Sequence, residues 1–225
     1  MINGIHIKVC GLTSVVDSEA AYTHGADFLG FNLYPKSPRY VSLSAFKAME
    51  PNLPPGKKVA VTVEPSHDEL KLLLDSGFDS IQLHFPNETS FFEAVLWAEI
   101  VPPARLWMAP RVPPGREIDP AFFPLADTFL FDSYQAETFG GTGKTSNWSE
   151  FASLRLKYTK IHWVLAGGLN AENVATAIAA TGTTYVDVNS GVEVSPGVKD
   201  HAKLQAFAHA LQRLKKNEAG ATASH

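Results

Sequence analysis

Eight short apolar runs punctuate the chain, at 5–9, 27–31, 58–63, 79–84, 105–109, 127–132, 161–165 and 184–188. Each is rich in β-branched or aromatic residues, the composition of a buried strand. The segments between them carry helix signals. Ser66 with Glu69 forms a capping box ahead of Leu70, Leu73 and Leu74, and Gly77 stands where that helix stops. Asn170 is placed to cap a helix carrying Val174, Ala177 and Ile178, with Gly182 after it. Leu204, Phe207, Ala208, Leu211 and Leu214 form an apolar stripe at helical spacing. Strand–helix alternation implies parallel strands, because each crossover helix returns the chain to the same edge. A doubly wound open sheet satisfies that alternation too. Eight units of roughly 25 residues each favour an α/β fold of one particular kind, a single (β/α)8 TIM barrel. The barrel is expected over residues 1–216, with a disordered tail at 217–225 and no internal linker. Gly25-Ala26-Asp27 and Gly77-Phe78-Asp79, each leading into a run, hint at repeated units.

Composition narrows the function. Hydrophobic residues make up 45% of the 225, enough for one sizeable core. The net charge of −4 and the absence of a long basic run argue against a nucleic-acid surface, which needs many phosphate-neutralising cations. No apolar stretch is long enough to cross a membrane. The start, Met1 to His6, lacks a basic region followed by an apolar one, and Cys10 is the single cysteine. Both point to a cytoplasmic, reducing setting.

In a (β/α)8 barrel the active site lies at the carboxyl ends of the strands, so the residues just after each run matter most. Ala166-Gly167-Gly168-Leu169-Asn170 follows the seventh run and Asn189-Ser190-Gly191-Val192-Glu193 the eighth. Such glycines let backbone N–H groups approach a phosphate, with a short helix near Gly191 adding to the site; tight turns alone are the plainer reading. A small phosphorylated molecule is therefore the expected partner. Cys10 follows the first run. A lone cysteine is usually a small buried hydrophobe, but at a strand tip it can serve as a base if its pKa is lowered. Asp132 ends the sixth run, nearly opposite, and the two can address one sugar as an acid–base pair. Arg39, in Lys36-Ser37-Pro38-Arg39, suits a planar carboxylate or is simply a surface cation. Asp187 contacts substrate, fixes loops or caps the barrel. His84 reads more readily as structure than as catalysis. Thr138-Phe139-Gly140-Gly141-Thr142-Gly143-Lys144-Thr145 resembles a nucleotide P-loop but has Thr138 where the pattern needs glycine, and reads better as a cover for the site. No His-Glu-x-x-His pair or cysteine cluster exists, so no metal site is expected.

These residues together resemble one family, phosphoribosylanthranilate isomerase of tryptophan biosynthesis. The matching phrases run in order from Lys8-Val9-Cys10-Gly11-Leu12-Thr13, through Gly25-Ala26-Asp27-Phe28-Leu29-Gly30-Phe31, Lys36-Ser37-Pro38-Arg39-Tyr40-Val41 and Gln82-Leu83-His84. They continue through the 140–145 glycine stretch, Leu165-Ala166-Gly167-Gly168-Leu169-Asn170 and Asp187-Val188-Asn189-Ser190-Gly191-Val192-Glu193, to Pro196-Gly197-Val198-Lys199-Asp200. The resemblance implies a cofactor-free Amadori rearrangement, with Cys10 as general base, Asp132 as general acid, Arg39 on the anthranilate carboxylate, and Gly167, Gly168, Ser190 and Gly191 on the phosphate. That chemistry asks for a raised Asp132 pKa and a lowered Cys10 pKa. The sequence departs from the family at Ala60, Thr62, Glu64, Phe85, Ser146 and Asn147, positions that bear on ring packing and lid motion before reaction type. The alternatives are an isomerase of a related phosphorylated aminosugar and a non-catalytic phosphoribosyl binder. Retention of the 36–39 stretch argues against the first, and retention of both Cys10 and Asp132 against the second.

Overall fold

A computed structural model describes residues 1–113, 115–132 and 147–214. Eight parallel strands close into a barrel in the order β1 to β8: β1 (His6–Val9), β2 (Phe28–Asn32), β3 (Lys57–Val63), β4 (Ser80–Pro86), β5 (Leu106–Arg111), β6 (Thr128–Phe131), β7 (His162–Leu165) and β8 (Tyr185–Val188). Closure is made by β1, whose Lys8 lies level with Phe28 of β2 and with Asp187 of β8. All eight apolar runs are strands, and the open-sheet alternative falls with the closed order. The 138–145 stretch and the 217–225 tail lie outside the described residues.

Among the described residues seven α-helices surround the barrel: α1 (Val15–Thr23), α2 (Leu43–Met49), α3 (His67–Leu74), α4 (Phe91–Ile100), α5 (Trp148–Lys157), α6 (Val174–Thr181) and α7 (His201–Gln212). The capping box forms as read: Ser66 Oγ accepts from the Glu69 amide, and Glu69 accepts from the Ser66 amide at 2.7 Å. Gly182 closes α6 in the left-handed region at φ 62°. Two expectations change. The crossover after β5 is not an α-helix but a 3-10 stretch, Pro120–Leu125, because Pro124 lacks the amide that an α-helix would direct at the Pro120 carbonyl. Asn170 does not cap α6; Asn173 occupies that position, and the Asn170 side chain instead accepts from the amides of Glu172 (2.8 Å) and Asn173 (3.1 Å).

The pleat divides each strand between two cores. Residues such as Ile7, Val9, Leu29, Phe31, Leu83, Phe85, Phe129, Phe131, Leu165 and Val188 pack outward into one large core with the helices. The alternate residues fill the barrel itself: Trp107, Ala109, Leu130, Val164 and Ala166 with Phe28 and Tyr185, and Cys10 with Val59 and Val61. Phe85 is therefore a helix-facing residue, set against Trp97 and Phe122 at 5.2 and 5.8 Å, and not a pocket wall. Thr62, between the inward Val61 and Val63, faces outward by the same alternation. Neither substitution touches the inside of the barrel.

Candidate active site

The alternation that buries Phe28 and Trp107 inside the barrel also brings Lys8, Cys10, Gln82, His84 and Asp187 to its interior and mouth. Lys8 is 1% exposed, and its ammonium lies 3.0 Å from Asp187 Oδ1. It also interacts with the Cys10 sulfur. Burial works against the Lys8 charge, but Asp187 and Cys10 outweigh it, and the Lys8 pKa ends above its ordinary 10.5. Gly30, opposite on β2, makes this possible, since a Cβ there would stand 3.1 Å from Lys8 Cε and 3.2 Å from Cys10 Sγ.

The expected lowering of the Cys10 pKa is not what the structure shows. Burial pushes the thiol up, and Asp187 adds to that, while Lys8 and Lys199 pull it down without prevailing. The thiolate is thus a minor form at neutral pH, and Lys8 is the largest influence favouring it. Asp132 stands directly after β6, half-buried, three strands round the ring from β1.

Arg39 is buried, not a surface cation. One edge of its guanidinium is committed to Glu193: Nε donates to Oε1 at 2.9 Å and Nη2 to Oε2 at 2.7 Å. Lys199 Nζ donates to the same carboxylate at 2.8 Å and to Asn189 Oδ1 at 3.1 Å. Burial opposes the Glu193 charge, but Arg39 and Lys199 together hold its pKa below the ordinary range; burial depresses that of Lys199. Two cations on one carboxylate leave a net positive charge near the mouth, and the end-on edge of Arg39 has a second pair of parallel donors for a carboxylate. Gly11, at φ 73°, is required here, because a Cβ would meet Arg39 Cδ at 2.5 Å and Asn189 Oδ1 at 2.7 Å.

Gly167 and Gly168 turn through positive φ, 90° and 64°, after β7. Asn173 fixes this turn, donating to the Gly168 carbonyl at 2.9 Å and accepting from the Asn170 amide at 2.9 Å. Ser190–Val192 forms a single 3-10 turn after β8, and a Cβ on Gly191 would collide with the Leu169 carbonyl. The two glycine turns therefore touch, side by side. His84, near the end of β4, is within the influence of the Lys8 charge; burial and that charge lower its pKa to about 4.

Sequence reasoning assigned no role to Lys8, Gln82, Glu193 or Lys199. The signal was present for Lys8, since a cation alternating with Ile7 and Val9 on a strand must point into the barrel. Glu193 and Lys199 gave no such signal, because β9 (Glu193–Ser195) and β10 (Val198–Lys199), the hairpin that carries them, lie beyond the eight-unit repeat. Among the described residues, no group of three His, Cys, Asp or Glu is placed to hold a metal, and no helix is long and apolar enough to cross a membrane.

A closed parallel barrel with a buried thiol, two lysines and an arginine at its carboxyl mouth, beside paired glycine turns, defines a (β/α)8-barrel enzyme. The family model for N-(5'-phosphoribosyl)anthranilate (PRA) isomerase matches residues 7–210, and the chain belongs to that family. It is 38% identical over 208 residues to N-(5'-phosphoribosyl)anthranilate isomerase of Aquifex aeolicus, covering 90% of this chain and 96% of that one. It is 36% identical over 212 residues to the Cellvibrio japonicus protein of that name, covering 92% and 93%. The Thermus thermophilus phosphoribosyl anthranilate isomerase structure superposes with a TM-score of 0.78 at 28% identity, covering 94% of this chain and all of that one. A phosphoribosyl anthranilate isomerase solved with reduced 1-(o-carboxyphenylamino)-1-deoxyribulose 5-phosphate superposes with a TM-score of 0.74 at 30% identity, covering 92% and 98%.

Proposed function

We propose that this chain isomerises N-(5-phosphoribosyl)anthranilate to 1-(2-carboxyphenylamino)-1-deoxyribulose 5-phosphate in L-tryptophan biosynthesis, by general acid–base catalysis and without a cofactor. Asp132, as the acid, gives a proton to the ribose ring oxygen while the C1'–O bond breaks and the anthranilate nitrogen forms a C=N bond to C1'. Cys10, as thiolate, then takes the proton from C2'. The C–H electrons form the C1'=C2' double bond and the C=N pair returns to nitrogen. The resulting enol becomes the ketone when C1' gains a proton and the C2' hydroxyl loses one.

Cys10 carries this reading: a thiol at the mouth of the barrel, under the influence of a buried ammonium, in a chain whose family match runs almost end to end. The end-on edge of Arg39 suits the anthranilate carboxylate, and the amides around Gly167, Gly168, Ser190 and Gly191 suit the phosphate. Asp187 serves as the anchor of Lys8 before any direct contact with substrate. Residues 1–216 act as one catalytic domain, and the free thiol suits a reducing cytoplasm.

The test is to generate the substrate in situ and follow the loss of its fluorescence. Cys10→Ala and Asp132→Asn should each slow turnover at least about a hundredfold, the usual scale of general acid–base contributions. Near-normal turnover in either variant removes that residue from its role. Folded protein that binds without turning over would favour a phosphoribosyl binder.

A further inference from the structure

His84 belongs to the inner face of β4, since Ile81, Leu83 and Phe85 take the outer one, and Gln82 and His84 alternate with them. The strand tip is pinned by the Glu64 amide, which donates to the His84 carbonyl at 3.1 Å. Gln82 is 1% exposed, and its Nε2 lies 2.7 Å from His84 Nε2. With its amide nitrogen turned to the ring, Gln82 donates there, so His84 Nε2 accepts and the ring proton sits on Nδ1, while Gln82 Oε1 is buried without a hydrogen-bond partner among the described residues. Other strands bring ionisable groups to the same interior and mouth: Lys8 and Cys10 from β1, Asp187 from β8, Arg111 from the end of β5 and Asp132 from just after β6. Lys8 is the one that acts on the imidazole, and it opposes a second positive charge there.

From this arrangement the geometry points to His84 as a neutral hydrogen-bond donor to the sugar of the bound substrate, with Gln82 as the positioning residue that sets its tautomer. The inference rests on the isomerase reading above. The reacting segment is a ring-opened aldose whose hydroxyl oxygens lie along the carbon chain next to C2'. Cys10 and Lys8 approach from β1, and Asp132 from the tip of β6. A donor from β4 then completes a ring of groups around the chain. A neutral donor has a specific merit: it polarises an oxygen without adding a cation that would compete with Lys8 for the thiolate, and it stays a donor across the working pH range. Gln82 is needed because an imidazole free to exchange tautomers would present an acceptor for part of the time.

Substitutions that mimic one ring nitrogen at a time provide the test. The amide nitrogen of asparagine falls near the Nδ1 position, whereas that of glutamine reaches the Nε2 position. His84→Ala and His84→Gln should each lower kcat/KM by about 10- to 100-fold, the scale of one lost hydrogen bond at a reacting group. His84→Asn should keep it within about threefold of the natural enzyme. Nitrogen-15 NMR of the histidines should show His84 neutral and protonated on Nδ1 from about pH 5.5 to 8, in contrast to an ordinary imidazole. An asparagine variant no better than alanine, or an Nε2–H tautomer, overturns the inference. If the natural protein shows no turnover at all, the isomerase reading fails separately. Calorimetric binding of reduced 1-(o-carboxyphenylamino)-1-deoxyribulose 5-phosphate to the three variants then decides His84 by the same ranking.

Discussion

At the scale of single residues, the site is governed by the competition between burial and neighbouring charge at Cys10. Burial raises the thiol pKa, Asp187 raises it further, and Lys8 is the main opposing influence. The reaction needs the thiolate, so activity should rise with pH as the thiol ionises. Removing Lys8 takes away the strongest influence that lowers the pKa. Lys8→Met should therefore move the rising limb of the pH–rate profile to higher pH and reduce turnover at pH 7 by at least about tenfold, one pH unit being a factor of ten. Asp187→Asn should move the same limb the opposite way, because the carboxylate it removes raises the thiol pKa. Two shifts of opposite sign cannot both come from general loosening of the fold. The rate of Cys10 alkylation against pH reads the thiol directly and should track both. An unmoved limb in Lys8→Met would show that its charge does not control the base.

At the scale of elements, β3 shows where the chain departs from what its own geometry favours. Glu64 follows the strand with φ 42°, in the left-handed region, and it precedes Pro65, which restricts it further. A non-glycine residue there costs roughly 1–2 kcal/mol, and asparagine tolerates the conformation better. Glu64→Asn should stabilise the protein by about 1 kcal/mol, seen as a rise of about 2–4 °C in Tm. No rise would mean that Glu64 makes contacts worth as much as the strain. The strands and most helix ends were legible in the sequence because each obeys a local rule: period two with β-branched residues, a capping box at Ser66, a left-handed glycine at Gly182. What was not legible came from relations between distant segments. The Arg39–Glu193–Lys199 cluster joins the loop after β2 to a hairpin after β8, separated by 154 residues. No local pattern encodes that pairing, nor the helix-facing position of Phe85, which follows only once the register of β4 is known. The missing helix after β5 was readable in principle, since Pro124 stands four residues after Pro120, where a helix needs an amide donor.

At the scale of the whole molecule, gathering ionisable groups inside a closed barrel makes stability depend on pH. His84 has a folded-state pKa of about 4 against an ordinary 6.5. Because that folded value is depressed, the unfolded chain binds this proton more readily than the barrel does, and the barrel loses stability as pH falls from 6.5 towards 4. The full difference amounts to about 3 kcal/mol for this one imidazole, and none of it is lost above 6.5. Glu193 adds a loss of the same sign lower down. Its folded pKa is depressed by Arg39 and Lys199, so the stability it contributes is present above about pH 4.5 and disappears as the carboxylate is protonated. Urea unfolding at a series of pH values should thus give a plateau above about pH 7 and a decline that begins near 6.5, well before ordinary carboxylates titrate. In His84→Asn the decline between about pH 6.5 and 4.5 should flatten, while the steeper loss below it remains. A variant whose curve runs parallel to that of the natural protein would show that His84 is protonated as easily inside the barrel as outside. The neutral-donor role would then lose its physical basis, even if the isomerase activity itself stood.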